Sequence, residues 1–223
     1  MTFFSQIAKI LSKYGYVYLE GFWGTIWISA VTVFFAVIFG IFVAILKMSR
    51  FKIAHILVNI YVEIVRGTPI LLQIYFFWLF LPKVMPIEMS DTTCVVVALI
   101  FNATSFVAEV IRAGIEAVDK GQTEAAYSLG LSQRNTMTRI ILPQAIKNIL
   151  PALGNEFISM IKMASMASIF FVPELTTSYR TVQSVTYMPI PSLTIAGAIY
   201  LGVTFSLTRL LGVFERKLKA NER

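Results

Sequence analysis

The chain has 223 residues, 57% of them hydrophobic and only 14% charged, with a formal net charge of +7. Its mean hydropathy of +0.75 lies far from the habit of soluble domains, whose interiors at this size cannot hold so much apolar surface, so lipid is the solvent. The excess of Lys and Arg then reads as a topology signal and not as a nucleic-acid face.

Residues 3–18 place Phe3, Phe4, Ile7, Ile10, Leu11, Tyr14, Val17 and Tyr18 at helical spacing, with Lys9 and Lys13 on another face. This predicts an amphipathic helix over 1–19 lying on the outer leaflet, the other reading being an extension of the first span. Lys9, Lys13 and Glu20 interrupt the first apolar stretch, which argues against a cleavable signal peptide. Between Glu20 and Lys47 lie 26 uncharged residues, enough for a tilted span. A second span is predicted from Ile53 to Leu81, a third from Thr92 past Glu109, a fourth from Asn148 to Val172 and a fifth from Ser192 to Leu211. The fold class expected is therefore an all-α integral membrane protein of five transmembrane helices in one domain, with the transmembrane region over 20–217.

Orientation follows from the basic residues. With the N-terminus outside, Lys47, Arg50, Lys52, Arg112, Lys120, Arg134, Arg139, Lys147, Arg209, Arg216, Lys217, Lys219 and Arg223 face the cytoplasm. Only Lys9, Lys13, Lys83 and Arg180 face outward, and this asymmetry sets the sign. The C-terminus is then cytoplasmic.

Between spans three and four lies a segment over 119–143 that is too polar for lipid and too rich in Ala and Leu for a loose linker. Gln122 to Leu129 reads as a short helix, Gly130 offers a left-handed stop, and Ser132 can cap a second helix that changes direction near Pro143. Two short helices joined by a glycine form a rigid knob suited to transmitting displacement; a solvated connecting loop is the plain alternative.

Glu124-Ala125-Ala126, then three residues, Gly130, nine residues, Ile140, one residue and Leu142-Pro143 match the EAA loop of importer-type ABC permeases. "VRGTPILLQIYF" (65–76), "AEVIRAGIEAVDKGQ" (108–122), "LGNEFISMIK" (153–162) and "VPEL" (172–175) continue the likeness. Over roughly 20–217 the chain resembles the permease subunits of polar-amino-acid ABC importers, the histidine/glutamine permease-like branch. The resemblance implies the type I importer permease fold, a bacterial inner-membrane location and an EAA segment that acts as a coupling helix. Glu124, Ala125, Ala126, Gly130 and Leu131 would then dock an ATPase. It also implies partners: ABC ATPase subunits, a second permease subunit in a homodimer or heterodimer, and an external solute-binding protein. ATP and Mg would be used by the partner. This chain has no phosphate-cradling glycine loop, nucleophile elbow or metal-ligand cluster, so neither catalysis nor a cofactor is expected of it. His55 has no second histidine or cysteine nearby to share a zinc ion.

Polar groups at membrane depth are the candidate substrate contacts. In Arg66-Gly67-Thr68-Pro69, Thr68 is read as an N-cap and Pro69 as the first residue of a renewed helix. Its free N–H groups beside the Arg66 guanidinium would suit an α-carboxylate. The bland reading pairs Arg66 with Glu63, one turn away. Glu156 offers an anion for an ammonium, or else a pair with Lys162. Met163 stands two turns on, where many relatives carry an acid, which weakens the case for a cationic side chain or marks a specialised half of a heterodimer. Gln73, Asn102, Thr104 and Ser105 either line the same cavity or bond neighbouring backbone. A stand-alone secondary transporter or channel is the competing function, and an embedded enzyme recruiting Glu109, Glu156 and Arg66 a third.

Overall fold

A computed structural model of the protein describes residues 2–49 and 51–220, the side chains of the last two excepted. Arg50, Arg223 and the side chain of Lys219, counted above as cytoplasmic, fall outside it. Every regular element among the described residues is helical.

The first helix, α1 (Phe3–Met48), is unbroken over 46 residues. At 1.5 Å per residue it is about 69 Å long, more than twice the hydrocarbon thickness of a bilayer. The helix expected over 1–19 is thus not a separate element: its residues are the opening turns of one continuous helix that runs on into the first span. Gly15, the only weak helix former there that lacks a side chain, costs about 1 kcal/mol and does not stop it. Part of its apolar face packs on protein, while Phe3, Phe4 and Leu11 stay exposed. Ile10 and Tyr18 are buried in a cluster with Leu175, Val182, Ile195 and Ala196, and the Tyr18 hydroxyl donates to the Ser192 carbonyl at 3.1 Å.

The predicted second span is two helices, α2 (Lys52–Gly67) and α3 (Ile70–Val84), bent by 110° at the Gly67–Pro69 break. Next comes α4 (Asp91–Glu116), capped by Ser90, whose hydroxyl accepts from the Thr93 N–H at 3.1 Å. The elbow consists of α5 (Lys120–Ser128) and α6 (Gln133–Thr136). A single wide turn over Met137–Ile141 then leads into α7 (Leu142–Met163). The change of direction expected near Pro143 does not occur. The Leu142 N–H reaches back five residues to the Met137 carbonyl, and this widened turn carries the helix through the proline. A 3₁₀ stretch over Ala164–Phe170 precedes α8 (Leu175–Thr186), which is bent 45° from the preceding run, and α9 (Pro189–Ala220) closes the chain.

Three helices, α1, α4 and α9, are long and apolar enough to cross a membrane, and the two bent pairs raise the number to five if each pair is one span. The main core joins α1 beyond Ile28 to α3, α4 and α7; the smaller cluster at the other end joins early α1 to α8 and α9. Where these meet, α1 comes against the start of α8 with almost no gap. A Cβ at Gly24 would stand 2.2 Å from the Pro173 carbonyl oxygen, so only glycine permits the approach.

Candidate functional site

Two places carry the groups singled out in the sequence: the elbow after α4 and the break between α2 and α3. In the elbow, Asp119 caps α5 by accepting from the Gly121 N–H at 2.6 Å. Gly130 takes φ +78°, and two backbone bonds close the end, Gly130 N–H to Tyr127 (2.9 Å) and Leu131 N–H to Ala126 (3.0 Å). This is the paired closure that a left-handed residue makes possible after a helix. Ser132 caps α6 through the Asn135 N–H at 3.4 Å.

The elbow presents a surface. Glu124 and Ala125 are exposed, Leu129 is 82% exposed, and Tyr127 and Met137 stand partly clear. Ala126 departs from the expectation that both alanines offer surface, because it is 4% exposed and turns into its own chain, where small size lets α5 sit close. Leu131 is half-buried. Gly130 serves by its backbone. No described side chain pairs with the Glu124 carboxylate, which leaves it open to solvent or to a partner.

At the break, Pro69 and not Thr68 occupies the cap position of α3, and no side chain accepts there. The reading of Thr68 as N-cap is corrected: its hydroxyl donates backward to the Ile64 carbonyl at 2.8 Å, closing α2. The N–H groups of Ile70 and Leu71 consequently meet no acceptor among the described residues, as an uncapped helix start leaves them.

Gln73 staples the bend. Its amide nitrogen reaches the Val65 carbonyl (2.7 Å), the Thr68 carbonyl (3.2 Å) and the Thr68 hydroxyl (2.8 Å), and its oxygen accepts from the Asn102 amide at 2.9 Å. Gln73 and Asn102 are buried, as are Thr104 and Ser105, whose hydroxyls donate to the Ile100 (2.7 Å) and Asn102 (2.8 Å) carbonyls of their own helix. Gln73 lines an apolar groove with Ile64, Val65, Thr68 and Leu72, and Thr104 a second one with Tyr61 and Phe101, while Asn102 and Ser105 line neither. All four also satisfy backbone or one another.

Arg66 behaves otherwise. Its side chain is 47% exposed, it pairs with Glu109 (Nη1 to Oε2, 3.7 Å) and not with Glu63, and it lies over the Phe106 ring, 5.5 Å from the centroid. Its charge also reaches Glu156 of α7, with which it makes no ion pair. Glu156 is half-buried, and Lys162 is exposed with no ion pair to it. Met163 packs on the main core. His55 Nδ1 donates to the Lys47 carbonyl at 2.7 Å, and among the described residues no group of His, Cys, Asp and Glu is arranged to hold a metal.

Two acids have roles that the sequence did not reveal: Glu109, named above only for an embedded enzyme, and Glu174. Glu109 bonds Lys47 of α1 and Arg112 of its own helix (3.1 Å), and Arg112 also bonds Glu116. The i,i+3 and i,i+4 spacing of Glu109, Arg112 and Glu116 was the available signal. Glu174, fully buried, caps α8 by accepting from the Thr176 (2.8 Å) and Thr177 (2.6 Å) N–H groups and the Tyr200 hydroxyl (2.8 Å). A glutamate is an uncommon N-cap, and Tyr200 is remote in sequence.

The family described as "Binding-protein-dependent transport system inner membrane component" matches residues 36–220. The chain is similar to "Arginine transport system permease protein ArtQ" of Bacillus subtilis (strain 168), 36% identical over 204 residues, 92% of this chain and 93% of that one. It is 33% identical over 203 residues to "Probable glutamine ABC transporter permease protein GlnM" of the same organism, 91% of this chain and 94% of that one. A solved structure described as "Crystal structure of an amino acid ABC transporter with histidines" superposes with a TM-score of 0.90 at 39% identity, covering 97% of this chain and 99% of the other.

Proposed function

The chain belongs to the family of inner-membrane components of binding-protein-dependent transport systems, and on that premise we propose that it moves a polar amino acid inward by alternating access. It is the permease subunit of an ABC transporter, a multi-pass membrane component that works with an ATPase and a binding protein. The stand-alone transporter and the embedded enzyme are thereby set aside. In our reading the elbow after α4 is the ATPase joint, docking through exposed Glu124, Ala125 and Leu129, with Ala126, Gly130 and Leu131 holding its shape. The N-terminus lies outside, the elbow and the C-terminus inside, and two permease subunits pair to enclose the route. Closure of the ATPases on ATP pushes the elbows and rocks the pair.

The observation that carries the substrate class is the open start of α3 beside Arg66, with Glu156 across from it. Free N–H groups at a helix start and a guanidinium favour a carboxylate, and the lone Glu156 favours an ammonium. Together they fit the zwitterionic head shared by all α-amino acids. ArtQ and GlnM are named for solutes that differ in side chain and agree in that head, which is what a site of this kind reads. Met163, apolar and packed on the core, leaves no second acid for a cationic side chain, so a neutral polar amino acid is the preferred substrate.

The test is uptake into proteoliposomes by the complex reconstituted with its ATPase and cognate binding protein, with labelled L-amino acids in competition. Neutral polar amino acids should compete best, and Glu156→Gln should lower uptake at least tenfold while the ATPase still co-purifies. One charge-assisted bond of about 1.5–3 kcal/mol corresponds to that loss. Normal uptake kinetics in Glu156→Gln would remove it from the site.

A further inference from the structure

The break that bears Arg66 is fastened to a single face of α4. Asn102, Phe106 and Glu109 recur there at intervals of four and three residues, so they line one side of the helix. Each grips the break at its own level. Asn102 donates to Gln73, which holds the bend closed; the Phe106 ring lies under the Arg66 guanidinium; Glu109 draws the same guanidinium from the next turn. The same helix ends at Glu116, three residues before Asp119 caps the first helix of the elbow.

Within this arrangement the partners of Glu109 are unequal. Lys47 engages one carboxylate oxygen directly, and Arg112 gives the other oxygen two N–H groups at 3.1 and 3.4 Å. Arg66, at 3.7 Å, stands beyond hydrogen-bond range and is the most exposed of the three cations. It is tethered by charge and by the Phe106 ring without being immobilised, which leaves its other N–H groups free for a ligand. Removing the carboxylate would leave Lys47 without its ion pair, Arg112 with Glu116, and Arg66 with only the more distant charge of Glu156. Arg66, the least anchored, would be the one displaced.

We propose that Glu109 is the positioning residue for Arg66: it holds the guanidinium at the open start of α3 and ties that position to the helix that ends in the coupling elbow. Movement of α4 then carries Arg66 with it, so the substrate carboxylate is gripped or released as the elbow moves. The proposal rests on the reading of Arg66 as a substrate contact and adds the residue that places it.

The experiment uses the reconstituted complex, with a labelled equimolar mixture of the twenty L-amino acids as probe so that the signal does not depend on knowing the substrate. Glu109→Asp keeps the charge but draws the carboxylate back by one methylene, and Arg66, already beyond hydrogen-bond range, is the partner least able to follow. This variant should raise the half-saturating concentration three- to tenfold with maximal uptake within about twofold of wild type. Glu109→Gln should lower uptake at low concentration at least tenfold, and adding it to Arg66→Gln should cause no further loss, because the two act through one group. If Glu109→Gln does not assemble, the Asp variant alone decides. An unchanged half-saturating concentration in Glu109→Asp overturns the proposal, as does a full multiplicative loss in the double variant. A wild-type response from Arg66→Gln itself would instead sink the underlying site reading, and the two failures are distinguishable.

Discussion

The protein breaks two of its helical runs, and the two breaks are built in opposite ways. Both place a proline just before a renewed helix, Pro69 ahead of α3 and Pro173 ahead of Glu174 and α8. At the second, Glu174 fills the helix start with its own carboxylate. It accepts from two backbone N–H groups and from Tyr200, and α1 closes over the junction at Gly24 while Thr25 accepts from the Leu175 N–H at 3.0 Å. At the first, the bend is sharper, the staple comes from behind through Gln73, and the start of α3 is left without an acceptor. A helix start wants negative charge. Where the chain supplies it, the break is a structural joint; where it does not, the break is the place we propose for a ligand's carboxylate.

The largest effect that tests this contrast is expected at the filled break. Glu174→Ala removes a fully buried carboxylate, leaves the Thr176 and Thr177 N–H groups without their acceptor and takes one of two partners from the Tyr200 hydroxyl, at a cost of about 3 kcal/mol. The midpoint of thermal unfolding in detergent should fall by about 6 °C or more, with Glu174→Gln between the two because it keeps an acceptor. Uptake per assembled complex should persist. A variant that melts like wild type yet no longer transports would make the second break a site as well, and the contrast would fail.

Much of this architecture is legible in the chain, and what is not legible shares a cause. The elbow is read from local signals: Gly130 provides the left-handed residue and Ser132 a cap whose partner lies three residues away, while Asp119, not singled out in the sequence, caps α5 just as locally. The join of α1 to its first turns is not, because what buries Ile10 and Tyr18 comes from α8 and α9, far along the chain. Glu174 escapes notice for the same reason, its tyrosine partner being 26 residues on. Thr68 misleads in a more instructive way. A threonine before proline has the form of an N-cap, but the Ile64 carbonyl four residues back offers its hydroxyl a competing bond, and no pattern in the sequence ranks the two. Arg66 and Glu63 are likewise close in sequence, yet Glu109, from another helix, takes the arginine.

A smaller effect is expected at the staple, where the two kinds of break meet in one residue. Gln73→Leu preserves volume but leaves the Val65 carbonyl and the Asn102 amide without partners in the core, worth about 2 kcal/mol. Because the staple sets the bend that presents Arg66, uptake should fall along with stability, unlike the Glu174 variants, where only stability falls. Measuring both on the same preparations places Gln73: a loss of stability with unchanged uptake per complex would show that the angle of the open break does not matter to transport.

The smallest effect separates the two possible roles of Thr68 and so bears on whether the start of α3 is open at all. An N-cap hydroxyl is worth about 1 kcal/mol, and its removal would also expose the helix start to change. In the structure the Thr68 hydroxyl instead closes the end of α2 and accepts from Gln73 at an exposed position, where water can replace both bonds. Thr68→Val should therefore cost less than about 0.5 kcal/mol, a shift of about 2 °C or less, with uptake within about twofold of wild type. A loss near the value of a true cap, or a tenfold fall in uptake, would mean that the hydroxyl faces the ligand side of the break. In that case α3 would not begin with an empty acceptor position, and the carboxylate site would have to be drawn around Thr68 and not around the free N–H groups of Ile70 and Leu71.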